Sequence, residues 1–151
     1  MSQETVHLLV VEDNPGDVRL IEEALQIHGI RYRMTHCETA EDGVRTVNGY
    51  GEHSKDIPAL LLLDFNLPAG EARDVLVAAG NNQVLKDMRK AVVTSSVAPR
   101  DRDAAFQFGA DSFIFKPADL DTFLKEVGGA ILKLINGDGL GVSGQTPANV
   151  R

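Results

Sequence analysis

Tryptophan is absent from this chain, aromatic residues make up only 5% of it, and Cys37 is its single cysteine. A lone thiol excludes an intramolecular disulfide and any metal site built from several thiolates. With so few rings, the apolar content is mainly aliphatic. Basic residues are outnumbered: 15 Lys and Arg against 22 Asp and Glu leave a formal charge of −7. That balance argues against a nucleic-acid backbone or an anionic membrane as the main partner. No apolar run approaches the roughly 20 residues of a membrane span. The opening Met-Ser-Gln-Glu-Thr lacks the basic stretch and apolar run of a signal peptide. The expectation is a cytoplasmic protein that uses neither nucleic acid nor membrane. Its 151 residues suit one domain with a core of ordinary density.

What the chain does contain is a fivefold alternation of strand-like and helix-like segments. Strands are expected near Val6–Val11, Tyr32–Cys37, Ala59–Leu63, Lys90–Ser95 and Ser112–Phe115. The third is continuously apolar, as a strand covered on both faces should be. Asn14, followed by Pro15 and then Asp17, is a helix start. Val18, Ile21, Ala24, Leu25 and His28 recur at helical spacing, and Gly29 is a stop. Further helices are expected over Ala40–Val47, Ala72–Ala79 and Arg100–Phe108. The last starts after Asp119 as cap, although Gly128-Gly129 should cost it about 1 kcal/mol each relative to Ala. Residues 136–151 are rich in Gly and short polar residues and are expected to form a flexible tail beyond a domain of residues 1–135. Such alternation implies an α/β fold with helices on both faces of a parallel sheet. A flavodoxin-like doubly wound order, 2-1-3-4-5, would set strands 1 and 3 side by side at the switch point, where ligands bind.

Four of the expected strands end in residues with useful chemistry. The first ends in Glu12-Asp13, the third in Asp64, the fourth in Thr94 and the fifth in Lys116-Pro117. Each alone has a plain structural use, as a turn, a cap, a strand residue or a solvated charge. Their joint placement at the carboxyl ends of a parallel sheet points to a site. If Glu12, Asp13 and Asp64 converge, like charges about 4 Å apart repel by roughly 4 kcal/mol at an effective dielectric near 20. Such a cluster takes up protons or holds a cation. Oxygen-only ligands favour Mg²⁺, which keeps waters and leaves room for phosphate oxygens. Asp64 is the candidate nucleophile, since a carboxylate can attack a phosphoryl group to form an acyl phosphate. Lys116 and the Thr94 hydroxyl can each serve an oxygen of that group.

The segments Leu8-Leu-Val-Val-Glu-Asp-Asn-Pro-Gly-Asp17, Leu61-Leu-Leu-Asp-Phe-Asn-Leu-Pro68, Val92-Val-Thr-Ser-Ser96 and Phe108-Gly-Ala-Asp-Ser-Phe-Ile-Phe-Lys-Pro117 resemble those of response-regulator receiver domains of the CheY type. The likeness spans roughly residues 6–135. The first two segments also resemble small stand-alone regulators, including those paired with bacterial phytochromes. The resemblance implies a five-stranded doubly wound sheet with five helices. It implies phosphorylation of Asp64 by a sensor histidine kinase, in a two-component system in which the protein catalyses only its own phosphorylation and dephosphorylation. Glu12, Asp13, Asp64 and the Asn66 backbone carbonyl would hold Mg²⁺. Thr94 and Lys116 would contact the phosphoryl group. Phe113 would be an aromatic switch whose ring turns inward, and the Lys116–Pro117 bond would be cis. Output would pass to a downstream protein or through a homodimer, by way of helix 4, strand 5 and helix 5.

Ala72 stands where the family usually has Gly, Gly80-Asn81-Asn82 interrupts helix 3, and Arg89-Lys90 leads into strand 4. Phe113 lacks the hydroxyl that Tyr brings in many relatives. The alternative is a receiver-shaped interaction module that works without phosphate. A flavodoxin is disfavoured because Glu12-Asp13 would repel a flavin phosphate. A dehalogenase-type phosphatase needs two aspartates one residue apart, which Glu12-Asp13-Asn14 does not supply.

Overall fold

A computed structural model of the chain describes residues 4–67, 71–138 and 141–143. Its strands are β1 (Val6–Val11), β2 (Tyr32–Cys37), β3 (Leu60–Leu63), β4 (Arg89–Thr94), β5 (Ser112–Phe115) and β6 (Gly141–Ser143). Its helices are α1 (Pro15–Ile27), α2 (Ala40–Gly49), α3 (Ala72–Asn81), α4 (Pro99–Gln107) and α5 (Leu120–Ile135). The sheet order is β2-β1-β3-β4-β5-β6, with every pairing parallel. The first five strands therefore follow the expected 2-1-3-4-5 order.

Residue alternation in the central strands divides the core in two. Leu9, Val11, Leu61, Leu63 and Val92 face one apolar layer with Val47 of α2 and Val75 and Leu76 of α3. Leu8, Val10, Leu60, Leu62 and Val93 face the other, with Ile21 and Leu25 of α1 and Phe123, Val127 and Ile131 of α5. β3 is buried along its whole length because both faces are covered.

Local chemistry sets the helix ends that matter for the site. The Asn14 side chain accepts from Gly16 N–H at 2.8 Å and Asp17 N–H at 3.3 Å, so α1 begins directly after the acidic pair. Gly29, at φ +71°, ends the turn that follows it. α5 carries Gly128 where α1 comes close: a Cβ there would overlap the His28 ring and lie 3.1 Å from the Ala24 carbonyl. His28 Nε2 sits 3.1 Å from the Leu124 carbonyl oxygen and so carries the hydrogen. The glycine that weakens α5 thus lets α1 dock on it.

Several expectations change. The interruption at Gly80-Asn81-Asn82 falls later than expected, because α3 runs through Gly80 and Asn81. Asn82 caps a 3₁₀ turn over Gln83–Leu85, and its Nδ2 donates to the carbonyls of Val47 and Tyr50, at 3.0 Å each. The Lys116–Pro117 bond, expected cis, is trans, as are all described peptide bonds. Trans is the intrinsically favoured X–Pro isomer by about 0.5–1 kcal/mol. Beside the five expected strands, Gly141–Ser143 pairs with β5 as a sixth, β6. Gly137 and Gly141, at φ +92° and +93°, turn the chain back after α5, and Gly141 N–H donates to the Asp111 carbonyl at 2.9 Å. Gly141-Val142-Ser143 is too short to carry an apolar pattern in the sequence. The rest of the expected tail, residues 139–140 and 144–151, lies outside the described residues.

Candidate phosphoacceptor site

Register brings the site together at the carboxyl rim of the sheet. Val11 pairs with Leu63, and Asp64 N–H then donates to the Val11 carbonyl at 3.0 Å. Glu12 N–H donates to the Cys37 carbonyl at 2.9 Å. Glu12 and Asp64 therefore leave adjacent strands at one level. Thr94 pairs with Phe115, and Lys116 N–H donates to the Thr94 carbonyl at 2.8 Å, which brings the lysine to the same rim.

One oxygen each from Glu12, Asp13 and Asp64 lies within 4.8 Å of the others, with Glu12 and Asp64 buried and Asp13 exposed. The Lys116 ammonium reaches into this group. It lies 2.5 Å from Glu12 Oε1, 2.9 Å from Asp17 Oδ2 and 3.5 Å from Asp64 Oδ2. Three N–H donors meet three carboxylates. Backbone donors add to the set: Asn66 N–H reaches Asp64 Oδ1 at 3.1 Å and Asn14 N–H reaches Glu12 Oε2 at 3.3 Å.

The group still carries an excess of negative charge, because Glu12, Asp13, Asp17 and Asp64 gather at the rim with a single ammonium among them. Burial and the neighbouring Asp64 push the Glu12 carboxyl up to about 7, against the pull of Lys116. Burial pulls the Lys116 ammonium down, but Glu12, Asp64 and Asp17 outweigh it, and its pKa ends above the ordinary lysine value. A cluster of hard oxygen donors with unbalanced charge suits a divalent cation of the Mg²⁺ kind.

Thr94 and Phe113 occupy the neighbouring strands. Thr94 is fully buried, and its Oγ1 accepts from Ser96 N–H at 3.2 Å. Ser96 Oγ in turn donates to Asp101 Oδ2 at 2.5 Å and accepts from Ala98 N–H at 3.2 Å. A continuous hydrogen-bonded path therefore runs from Thr94 to the first turn of α4. The Phe113 ring is 3% exposed and packs in the layer that holds Val92 and Ala105. It already faces the interior, where the expected switch would bring it. Pro117 follows Lys116 at the rim, and the loop after Leu67 passes into residues 68–70, outside the described residues.

Sequence reasoning gave Asp17 a role only as a residue of the first helical turn. Its contact with Lys116 joins residues 99 apart in the chain, which local spacing does not reveal. Two further histidines hold structure. His36 Nε2 donates to the Glu12 carbonyl at 2.7 Å, and His7 Nε2 lies 2.7 Å from Thr35 Oγ1.

Comparison with known proteins identifies the family and the fold. The family model of the response regulator receiver domain matches residues 8–128. Response regulator Rcp1 of Synechocystis sp. (strain ATCC 27184 / PCC 6803 / Kazusa) is 29% identical over 123 residues, covering 81% of this chain and 84% of its own. The phosphorylated cyanobacterial phytochrome response regulator RcpA superposes with a TM-score of 0.78 at 26% identity, over 91% of this chain and 99% of that one. The Mn²⁺-bound form of Rcp1 superposes at 0.76 with 28% identity, over 89% and 98%. A five-strand order with its switch point at β1 and β3, an acidic rim there and a match over most of the chain lead to one conclusion: the protein belongs to the response-regulator receiver family.

Proposed function

We propose that the chain is a phosphorylation switch of a two-component system, with Asp64 as the phosphoacceptor. The observation that carries this reading is the meeting of Glu12, Asp13, Asp64 and Lys116 at one strand rim. Receiver domains are signalling proteins, and the rim supplies what phosphoryl acceptance needs. The Asp64 carboxylate oxygen forms a bond to phosphorus as the bond from phosphorus to the donor breaks. With a sensor histidine kinase the leaving group is the imidazole nitrogen of its phosphohistidine. With acetyl phosphate it is acetate. Asp64 is only 9% exposed, so its nucleophilic oxygen meets the donor in a partly desolvated setting.

Glu12, Asp13, Asp64 and the Asn66 backbone carbonyl would hold Mg²⁺, which would supply charge neutralisation to the phosphoryl oxygens. Rcp1, which resembles this chain, has a Mn²⁺-bound form. Lys116 would pair with a second phosphoryl oxygen and the Thr94 hydroxyl would donate to a third. When Thr94 turns to the phosphoryl group, Ser96 N–H loses its acceptor and the path to Asp101 and α4 is disturbed. A downstream protein or a second copy of the chain would read α4, β5 and α5, with Phe113 of β5 packed in the layer that holds Ala105 of α4. The setting is cytoplasmic, and no described helix is long and apolar enough to cross a membrane.

The test is incubation with Mg²⁺ and acetyl phosphate, followed by intact mass measurement. Wild type should gain one acid-stable, base-labile phosphoryl group, and Asp64→Asn should gain none. An equal adduct on both proteins, or none on wild type, would sink the proposal.

A further inference from the structure

The Lys116 ammonium is not centred on the acceptor. It lies 2.5 Å from Glu12 and 2.9 Å from Asp17, but 3.5 Å from Asp64. Two of these three carboxylates belong to the cluster suited to a cation, and Asp17 does not. A cation held by Glu12 and Asp64 would draw on their charge and leave Asp17 as the undiverted partner of Lys116. Asp17 is also fixed in place. It stands in the first turn of α1, its N–H donates to the Asn14 side chain, and its own side chain is 29% exposed. An anchored carboxylate on one side of a lysine and an acceptor on the other are competitors for the same donors.

We propose that Asp17 is a positioning residue that draws Lys116 away from Asp64 and so restrains passage to the phosphorylated conformation. The proposal rests on the phosphorylation reading above. A phosphoryl group on Asp64 must win Lys116 from Asp17, or share it at a longer distance. Removing the Asp17 charge frees the ammonium for the phosphoryl oxygens while keeping the shape of the first helical turn.

The experiment uses beryllofluoride as phosphoryl probe, at saturating Mg²⁺, with binding followed by calorimetry. Four proteins are compared: wild type, Asp17→Asn, Lys116→Met and the double variant. Asp17→Asn should bind beryllofluoride about tenfold more tightly, the scale of one charge-assisted hydrogen bond released from competition. In the Lys116→Met background the same substitution should change affinity by less than about twofold, as for uncoupled sites. Asp17→Glu should stay near wild type. Weaker or unchanged binding by Asp17→Asn overturns the proposal, and so does equal tightening without Lys116, which would mark a general charge effect. An effect of Asp17→Asn confined to Mg²⁺ affinity also overturns it, by placing Asp17 with the cation instead. These outcomes leave the phosphorylation reading standing, whereas wild type that binds no beryllofluoride removes both.

Discussion

The interior of the sheet and its carboxyl rim are built from consecutive residues. Leu60, Leu61, Leu62 and Leu63 are each at most 2% exposed and packed on both faces. Their burial lowers the free energy of the fold by about 1.5–3 kcal/mol per side chain. Asp64 follows directly and is almost as buried, yet it faces Glu12 and Asp13 across an excess of negative charge. The difference shows where stability is made and where it is given up. The aliphatic strands hold the rim together with a margin that lets like charges be packed side by side.

Exchange of the proposed acceptor should break this contrast most sharply. Wild type should gain a phosphoryl adduct by intact mass measurement, and Asp64→Asn should gain none. Without Mg²⁺ the substitution should leave thermal stability equal or raised, because it relieves like-charge crowding. A clear fall in melting temperature would mean that Asp64 stabilises the fold. Leu62→Ala should behave in the opposite way, costing about 2–5 kcal/mol in denaturant unfolding. Under folding conditions it should leave adduct formation at Asp64 in place.

Next in size is the pH response of the rim. Glu12 has its carboxyl raised from 4.5 to about 7. Protonation therefore favours the folded state, so the stability Glu12 lends below pH 4.5 should be lost as pH rises to about 7. Mg²⁺ needs the ionised form, so its affinity should rise with pH up to about 7 and level off above. The limiting slope is about tenfold per unit. Titrations at pH 5.5, 6.5 and 7.5, with Glu12→Gln as control, check the sign, and a flat profile would exclude Glu12 as the responding group. The smallest effect belongs to the border between the regions. Asn14→Ala should cost about 1 kcal/mol of stability through the lost cap of α1. Unfolding in urea measures it.

Much of the fold was legible because its signals are local. Apolar strands, the Asn14 and Asp119 caps and the glycine stops each act within a few residues. The rim was legible for a related reason: Glu12, Asp13, Asp64, Thr94 and Lys116 each lie at or directly after a strand end, where topology does the gathering. What escaped depends on distant partners or lies in segments too short to carry a pattern. The pairing of Asp17 with Lys116 spans 99 residues, and His28 fits the space left by Gly128 only once α1 and α5 have docked. β6 carries no apolar signature, and the trans Lys116–Pro117 bond follows the ordinary X–Pro preference rather than the family resemblance.

β6 also changes what the outside of the molecule offers. A five-stranded sheet would end at β5 with a free row of backbone donors and acceptors, which any extended peptide could join. Here three residues of the same chain run along that border. At the opposite border, β2 has exposed Arg33 within it and exposed Arg31 just before it, charges that discourage a newcomer strand. A peptide seeking to extend the sheet at β5 must first dislodge β6, so deleting Gly141–Ser143 should raise self-association, as sedimentation would show.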